Sequence, residues 1–174
     1  MAHGMRSDLT TNYGPPSGGR RDAAQRYALV PLRIFLGVTF IYAAFDKLTD
    51  SAFFKASGSG SIGDQMRGVR DTSAIPALVD LALKSPSGFG YAIAFGELAV
   101  GVGALLGVLT RLAAVGGALI SLSLWLTVSW ATEPYYLGND LAYLMAWLPL
   151  VLAGAAVWSV DSWWRGRRAR SSGY

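Results

Sequence analysis

Two charged residues, Arg33 and Glu97, lie inside long apolar stretches of this chain. A carboxylate in a hydrocarbon environment costs about 3 kcal/mol or more, so it normally faces a partner or a ligand in the protein interior. A guanidinium near the end of an apolar stretch can instead extend to the membrane interface. Glu97 is therefore the strongest candidate for chemistry.

The stretches that must position these charges are four apolar runs, which cover residues 28–45, 88–109, 112–131 and 141–160. A helix of about 20 residues, rising 1.5 Å per residue, crosses a hydrocarbon core of about 30 Å. The mean hydropathy of +0.36 and the 15% of charged residues fit the same class. The sequence therefore predicts an all-α, integral membrane four-helix bundle.

The distribution of basic residues predicts the orientation of the bundle. With four spans, both tails and the turn after the second span share one side, with nine basic residues against five on the other. The nine are Arg6, Arg20, Arg21, Arg26, Arg111, Arg165, Arg167, Arg168 and Arg170. The positive-inside rule then places both termini in the cytoplasm. Because the basic residues are concentrated on one predicted side of the membrane, we interpret them as determinants of topology. We therefore expect no nucleic acid partner.

The remaining segments divide into two tails and one sizeable loop. Residues 1–26 are rich in Gly, Pro and Ser and are predicted to form a disordered cytoplasmic tail, and residues 161–174 a basic one. Residues 46–87 form the predicted extracytoplasmic loop. Within it, apolar residues at helical spacing over 75–84 predict a short helix at the membrane surface.

Small residues predict close packing of the middle spans. Ala99, Gly103 and Gly107 recur every four residues along the second run, and Ala113, Gly117 and Ser121 do the same on the third. A short turn joins the two runs at 110–111. These runs are therefore expected to form a tight antiparallel hairpin.

The scarcity of metal-ligating side chains limits the chemistry. The chain has no cysteine, and its one histidine is His3 in the predicted tail. Haem, iron–sulfur and zinc sites built on these side chains within the bundle are therefore not expected, and no metal site is predicted. Any redox role would need an electron-transfer centre that the chain's own side chains do not provide.

Counting residues from the span ends places Glu97 in a layer of polar and aromatic groups. The layer comprises Thr39, Tyr42, Ser123, Trp125, Thr127, Tyr143 and Trp147. One interpretation is a pocket for a planar, partly polar ligand such as a quinone, with Glu97 as proton acceptor or hydrogen-bond partner. The other is structural: a protonated Glu97 is satisfied by Tyr42, Thr39 or Ser123 and fixes the helix register.

The candidate site residues follow from this layer and its extracytoplasmic rim. Glu97 is the candidate catalytic residue, and Asp46 and Lys47 form the rim at the end of the first run. The full predicted ligand-binding set is Tyr42, Asp46, Lys47, Trp125, Trp130, Asn139, Asp140 and Trp147. At the other end of the bundle, Arg33 and Asp161 lie at matching depths and are expected to form a structural ion pair.

Several motifs resemble those of DoxX/DoxD-type membrane proteins. The segments Leu32–Gly37 and Phe45–Leu48 resemble the family's first helix, and Gly96–Leu98 with Leu105–Arg111 its second helix and turn. Trp130 and Tyr135–Asp140 extend the resemblance towards the DoxD branch. The resemblance covers about residues 28–156.

This resemblance implies a protein of the bacterial plasma membrane that acts beside a partner subunit. The DoxD branch is linked to thiosulfate:quinone oxidoreductase, so the resemblance implies a quinone ligand and thiosulfate as electron donor. A non-enzymatic scaffold or assembly protein of a redox complex is the alternative. Self-association, the substrate and the partner's identity stay open at this point.

Overall fold

The computed structural model describes residues 19, 24–25, 27–155, 157–161 and 163. Within them the chain forms six α-helices and no strand, so the all-α prediction is confirmed. The helices are α1 (Val30–Thr49), α2 (Ile62–Val69), α3 (Pro76–Leu83), α4 (Pro86–Leu106), α5 (Thr110–Thr127) and α6 (Asn139–Ala153). Two 3-10 turns occupy Arg70–Thr72 and Tyr135–Leu137.

The four longest helices pack pairwise around one apolar core. Helix α1 lies along α4, α5 lies along α6, and α4 is joined to α5 by a short turn. The core where they meet contains Leu36, Phe40, Ala104, Trp147 and Leu150, all at most 5% exposed. The predicted α4–α5 hairpin is confirmed by this packing.

Glycines allow helices α1 and α4 to approach closely. A Cβ atom on Gly101 would lie 2.9 Å from the carbonyl oxygen of Gly37, and one on Gly37 would lie 3.0 Å from Cβ of Leu105. A side chain at either position would push the two backbones apart. This contact therefore fixes which turns of α1 face which turns of α4.

The turn between α4 and α5 is closed by a left-handed residue. Gly107 has φ of +67°, and the amides of Gly107 and Val108 donate to the carbonyls of Ala104 and Gly103. This pair of bonds is the Schellman pattern that ends a helix at glycine. It explains why α4 ends at Leu106, before the predicted limit at residue 109.

Helix α6 is shorter than the predicted fourth run, which continues to residue 160. The helix ends at Ala153, because Gly154 adopts φ of +67° and ψ of −156°, a conformation outside the helical region. The chain then folds back, and the amide of Asp161 donates to the carbonyl of Gly107 at 3.1 Å. The end of the predicted run thus covers the α4–α5 turn instead of extending the helix.

Residues 50–85, which we call the cap, form a small folded unit over one end of the four helices. Its own core consists of Phe53, Ile62, Met66, Val79 and Ala82. The predicted helix at 75–84 is confirmed as α3, whereas α2 was not predicted. Its signal is Ser61, whose hydroxyl accepts from the amide of Asp64 and caps the helix start.

The cap is held together by ion pairs and is bonded to the four helices. Arg70 binds Asp80 of α3 at 2.5 Å, which lowers the pKa of the Asp80 carboxyl and raises that of the guanidinium. The amide of Ala74 and the hydroxyl of Ser73 both donate to the carbonyl of Leu126 near the end of α5. The segment just before α3 is therefore bonded directly to α5.

Among the described residues, α4 and α5 are long and apolar enough to cross a membrane, and α6 is a shorter apolar helix. Their exposed surfaces fit a lipid environment, because large apolar side chains such as Phe95, Leu112 and Leu119 are more than half exposed.

Substitution of Gly117 by Ala is expected to destabilise the protein by about 1–3 kcal/mol. The new Cβ would lie 2.2 Å from Cε2 of Trp147, which is fully buried and has no room to move. Thermal unfolding of the purified protein in detergent measures the effect. Gly96→Ala is the matched control, because its Cβ would meet only the end of Ile120 at 3.4 Å. Equal stability of the two variants would contradict the tight α5–α6 contact.

Candidate functional site

Lys47 of α1 and Glu97 of α4 form an ion pair between the two helices. The ammonium nitrogen lies 2.8 Å from Oε2 and 3.1 Å from Oε1 of the carboxylate. The Glu97 side chain is 4% exposed and that of Lys47 is 22% exposed. The carboxylate is therefore enclosed, whereas part of the Lys47 side chain remains exposed.

The direction of the Lys47 side chain explains how it reaches Glu97. Side chains of a helix tilt towards its N-terminus, which for α1 is towards the middle of the four helices. The ammonium also donates to the carbonyl of Ala43, one turn back along α1, at 3.1 Å. Its charge thus lies about one turn deeper than its own Cα atom.

Glu97 pairs with Lys47, and this corrects the structural interpretation drawn from the sequence. That interpretation paired a protonated Glu97 with Tyr42, Thr39 or Ser123. Tyr42 is 72% exposed, and Ser123 donates to the carbonyl of Ile120 on its own helix. Counting residues from the span ends gives the depth of each Cα atom. Lys47 lies outside the Glu97 layer by this measure, because only its side chain reaches back along α1 to that depth.

A third charge, Asp140, accompanies the pair. Asp140 lies in the first turn of α6 and interacts electrostatically with both Lys47 and Glu97. Its carboxylate accepts a hydrogen bond from the hydroxyl of Ser129, which follows α5. A carboxylate at this place is also favoured by the partial positive charge of the helix N-terminus. Lys47 and Glu97 are thus in direct contact, and Asp140 is within electrostatic reach of both; we call these three residues the triad.

The other predicted ligand-binding residues divide between the surface and the core. Asp46 and Asn139 are exposed, and Trp130 is half exposed and pairs with Trp125 at a ring separation of 5.5 Å. Trp147 is fully buried and packs edge-on against Phe40 at 5.0 Å. The indole nitrogen of Trp147 has no hydrogen-bond partner. The structure thus brings together Lys47, Glu97 and Asp140 of the predicted set, but not the aromatic residues around them.

The predicted ion pair between Arg33 and Asp161 is not formed. The guanidinium of Arg33 donates to the carbonyls of Val157 and Trp158 at 3.0 and 2.6 Å. Asp161 accepts from the amides of Leu109 and Thr110, both at 2.9 Å. The prediction was wrong because the chain leaves the helix at Gly154, which turns the carboxylate towards the α4–α5 turn.

The triad carries two carboxylates and one ammonium, so one negative charge remains when all three groups are ionised. A carboxylate that shares a site with another acid can take up a proton at low electrostatic cost. Each of the three ammonium hydrogens already has an acceptor, so the ammonium can donate to a further carbonyl only by exchanging Ala43 O or one Glu97 oxygen for it. The arrangement can therefore hold a polar acceptor and exchange a proton with it.

These features define an all-helical protein, over the residues that the structure describes, with two helices long and apolar enough to cross a membrane and a buried, charged contact between helices. The chain belongs to the DoxX family, whose sequence model matches residues 28–130. Lys47 and Glu97 fall within the matched part, whereas Asp140 and α6 follow it. The match identifies the DoxX family and does not distinguish the DoxD branch. No curated protein and no solved structure matches the chain.

Substitution of Lys47 by Met is expected to lower the free energy of unfolding by about 2–3 kcal/mol, because it leaves the Glu97 carboxylate enclosed without its partner. The double variant Lys47→Met/Glu97→Gln should recover much of this loss, since residue 97 is then neutral and no longer needs a cationic partner. Unfolding of all variants in mixed detergent micelles gives the coupling energy between the two residues. A coupling energy near zero would contradict an energetically important pair.

Proposed function

We propose that this chain is the membrane subunit of a quinone-linked oxidoreductase of the bacterial plasma membrane. It would form a four-helix bundle with both termini in the cytoplasm and hold a quinone or similar small ligand beside the triad. The observation that carries the proposal is the buried Lys47–Glu97 pair with Asp140 in electrostatic reach. The family assignment supports the membrane setting but not the choice of ligand.

The proposed topology rests on helix length and charge distribution. Helices α4 and α5 are long and apolar enough to span a membrane. Helices α1 and α6 pack against them with apolar outer faces. The α4–α5 turn carries Arg111, and the cap lies at the opposite end of the bundle. The excess of basic residues on the Arg111 side favours its placement in the cytoplasm.

The hydrogen-bonding groups of the triad suit a quinone head group. A quinone supplies two carbonyl oxygens and accepts two electrons and two protons when it is reduced. The Lys47 ammonium would donate a hydrogen bond to one quinone carbonyl in exchange for one of its present acceptors, Ala43 O or a Glu97 oxygen. Glu97 and Asp140 would hold or move a proton, because the triad has one carboxylate more than its ammonium can neutralise.

The electrons must come from outside this chain's side chains. The sequence contains no cysteine and one histidine, at position 3, so a thiolate-ligated centre would have to lie on another protein. The proposal therefore includes a partner subunit that oxidises the donor. The electron-transfer step would occur in the complex, with this chain positioning the quinone.

Binding of a soluble quinone analogue tests the role of the triad. The full chain in nanodiscs is titrated with a short-chain ubiquinone or menaquinone analogue, and tryptophan fluorescence reports binding. Glu97→Gln is expected to weaken binding about tenfold or more, since it removes the charge-assisted interaction of about 1.5–3 kcal/mol that positions the Lys47 ammonium. Asp46→Asn is the matched control, because this exposed acid precedes Lys47 but lies outside the triad.

A charge-exchanged variant separates binding from stability. Lys47→Glu/Glu97→Lys preserves an ion pair between α1 and α4 but reverses the positions of donor and acceptor. Normal stability with lost quinone binding would support the proposal. Unchanged binding in this variant and in Glu97→Gln would contradict it.

A scaffold or assembly role is the second candidate, and one observation favours it. An ammonium has three donors, and all three of those on Lys47 have acceptors: Ala43 O and both carboxylate oxygens of Glu97. A pair satisfied in this way also serves to hold α1 against α4. Under this alternative, the chain would copurify with partners in fixed ratio and bind no quinone.

The electron donor is tested in native membranes. If thiosulfate is the donor, thiosulfate-dependent quinone reduction should fall at least tenfold when the gene for this chain is deleted. Plasmid-borne wild type should restore the rate, and Glu97→Gln should not. NADH-dependent quinone reduction in the same membranes is the control. An unchanged thiosulfate-dependent rate would remove thiosulfate from the proposal and leave quinone binding to be judged separately.

A further inference from the structure

Arg33 is a buried cation that has no acidic partner among the described residues. It is 4% exposed, and its two terminal nitrogens donate to the carbonyls of Val157 and Trp158. Its Nε atom is enclosed and has no hydrogen-bond partner. Carbonyl oxygens satisfy donors but do not neutralise a positive charge, and a buried charge without a counter-ion is costly.

A cavity of about 80 Å³ lies beside this guanidinium. Its walls include Gln25 before α1, Arg33 in the first turn of α1, Ala153 at the end of α6, and Gly154 and Val157 beyond it. This volume is several times the 10–15 Å³ or so that one water molecule requires. The cavity is therefore large enough for a small polyatomic group and is partly lined by polar atoms.

A second arginine lies against the same wall. A Cβ atom built on Gly154 would lie 3.3 Å from Cγ and 3.4 Å from Nε of Arg111. Arg111 itself is exposed and donates to the carbonyl of Leu152. Arg111 does not line the cavity, but its guanidinium adds positive charge behind Gly154, which favours an anionic ligand in the cavity.

We propose that the cavity at Arg33 binds a phosphate group. The phosphate oxygens would accept a hydrogen bond from Arg33 Nε and supply the negative charge that the described residues do not. The group could belong to a phospholipid head group or to free phosphate. This site lies at the end of the bundle opposite to the cap, so it is separate from the triad and independent of the quinone proposal.

Two arms of one experiment distinguish the sources. The full chain is purified in a maltoside detergent, which contains no phosphate, and its thermal unfolding is followed. In the first arm, inorganic phosphate is compared with chloride at equal ionic strength. In the second, phosphatidylglycerol is compared with diacylglycerol of the same acyl chains, which lacks the phosphate. Stabilisation in one arm identifies the source, because a ligand that binds only the folded state raises the melting temperature.

Variants test whether the response comes from this cavity. Arg33→Gln is expected to weaken the stabilising ligand about tenfold or more, and Ala153→Leu should do the same by filling the cavity while Arg33 is retained. Lys84→Gln, which removes an exposed cation near the cap, should respond as the wild type does. If Arg33→Gln does not fold, Ala153→Leu decides the outcome. The proposal is overturned if neither ligand stabilises the wild type, or if Ala153→Leu responds as strongly as the wild type.

Discussion

The close contact of α1 with α4 at Gly37 and Gly101 is the constraint on which the charged site depends. It brings two backbones so near that a Cβ atom on Gly101 would lie 2.9 Å from a carbonyl oxygen. In lipid, such contacts replace the hydrophobic effect as the means of choosing helix partners, because lipid tails are as apolar as the side chains. Once this contact is made, Lys47 is held where its ammonium reaches Glu97.

The buried charges at the two ends of the bundle have different kinds of partner. Glu97 has a cationic partner from another helix, and Asp140 adds a second carboxylate near it. Arg33, at the opposite end, has only carbonyl oxygens as partners among the described residues. One end thus has an excess of negative charge and the other an excess of positive charge. Ligands of opposite character would be drawn to them: a hydrogen-bond acceptor that takes up protons at the triad, and an anion at Arg33.

The sequence predicted the helices well because length and apolar content determine them. It also identified Glu97, whose cost in an apolar environment does not depend on the details of packing. The pair with Lys47 was not predicted, because residue 47 was assigned to the rim and its side chain was not expected to turn back along α1. The buried face of α4 does have a readable period, with Ala94, Glu97, Gly101 and Ala104 recurring at three- and four-residue spacing.

Errors in the predicted positions arose where backbone conformation is decided by single residues. Gly154 ends α6, and the Asp161 carboxylate beyond it accepts from the amides of Leu109 and Thr110. Residues 58–61 fall in the predicted loop at 46–87, yet Ser61 at the end of this glycine-containing stretch caps α2. Apolar periodicity contains no information on either point, since both depend on φ and ψ at one position and on hydrogen bonds formed by one side chain.

The bonds from Ser73 and Ala74 to the carbonyl of Leu126 also bear on the order in which the chain assembles. The cap precedes α4 and α5 in the sequence, yet its attachment point lies near the end of α5. During synthesis the ribosome releases the cap well before residue 126, so the cap cannot be fastened until the α4–α5 hairpin is in place. Closure of the cap thus reports that three of the four long helices have been made and correctly paired.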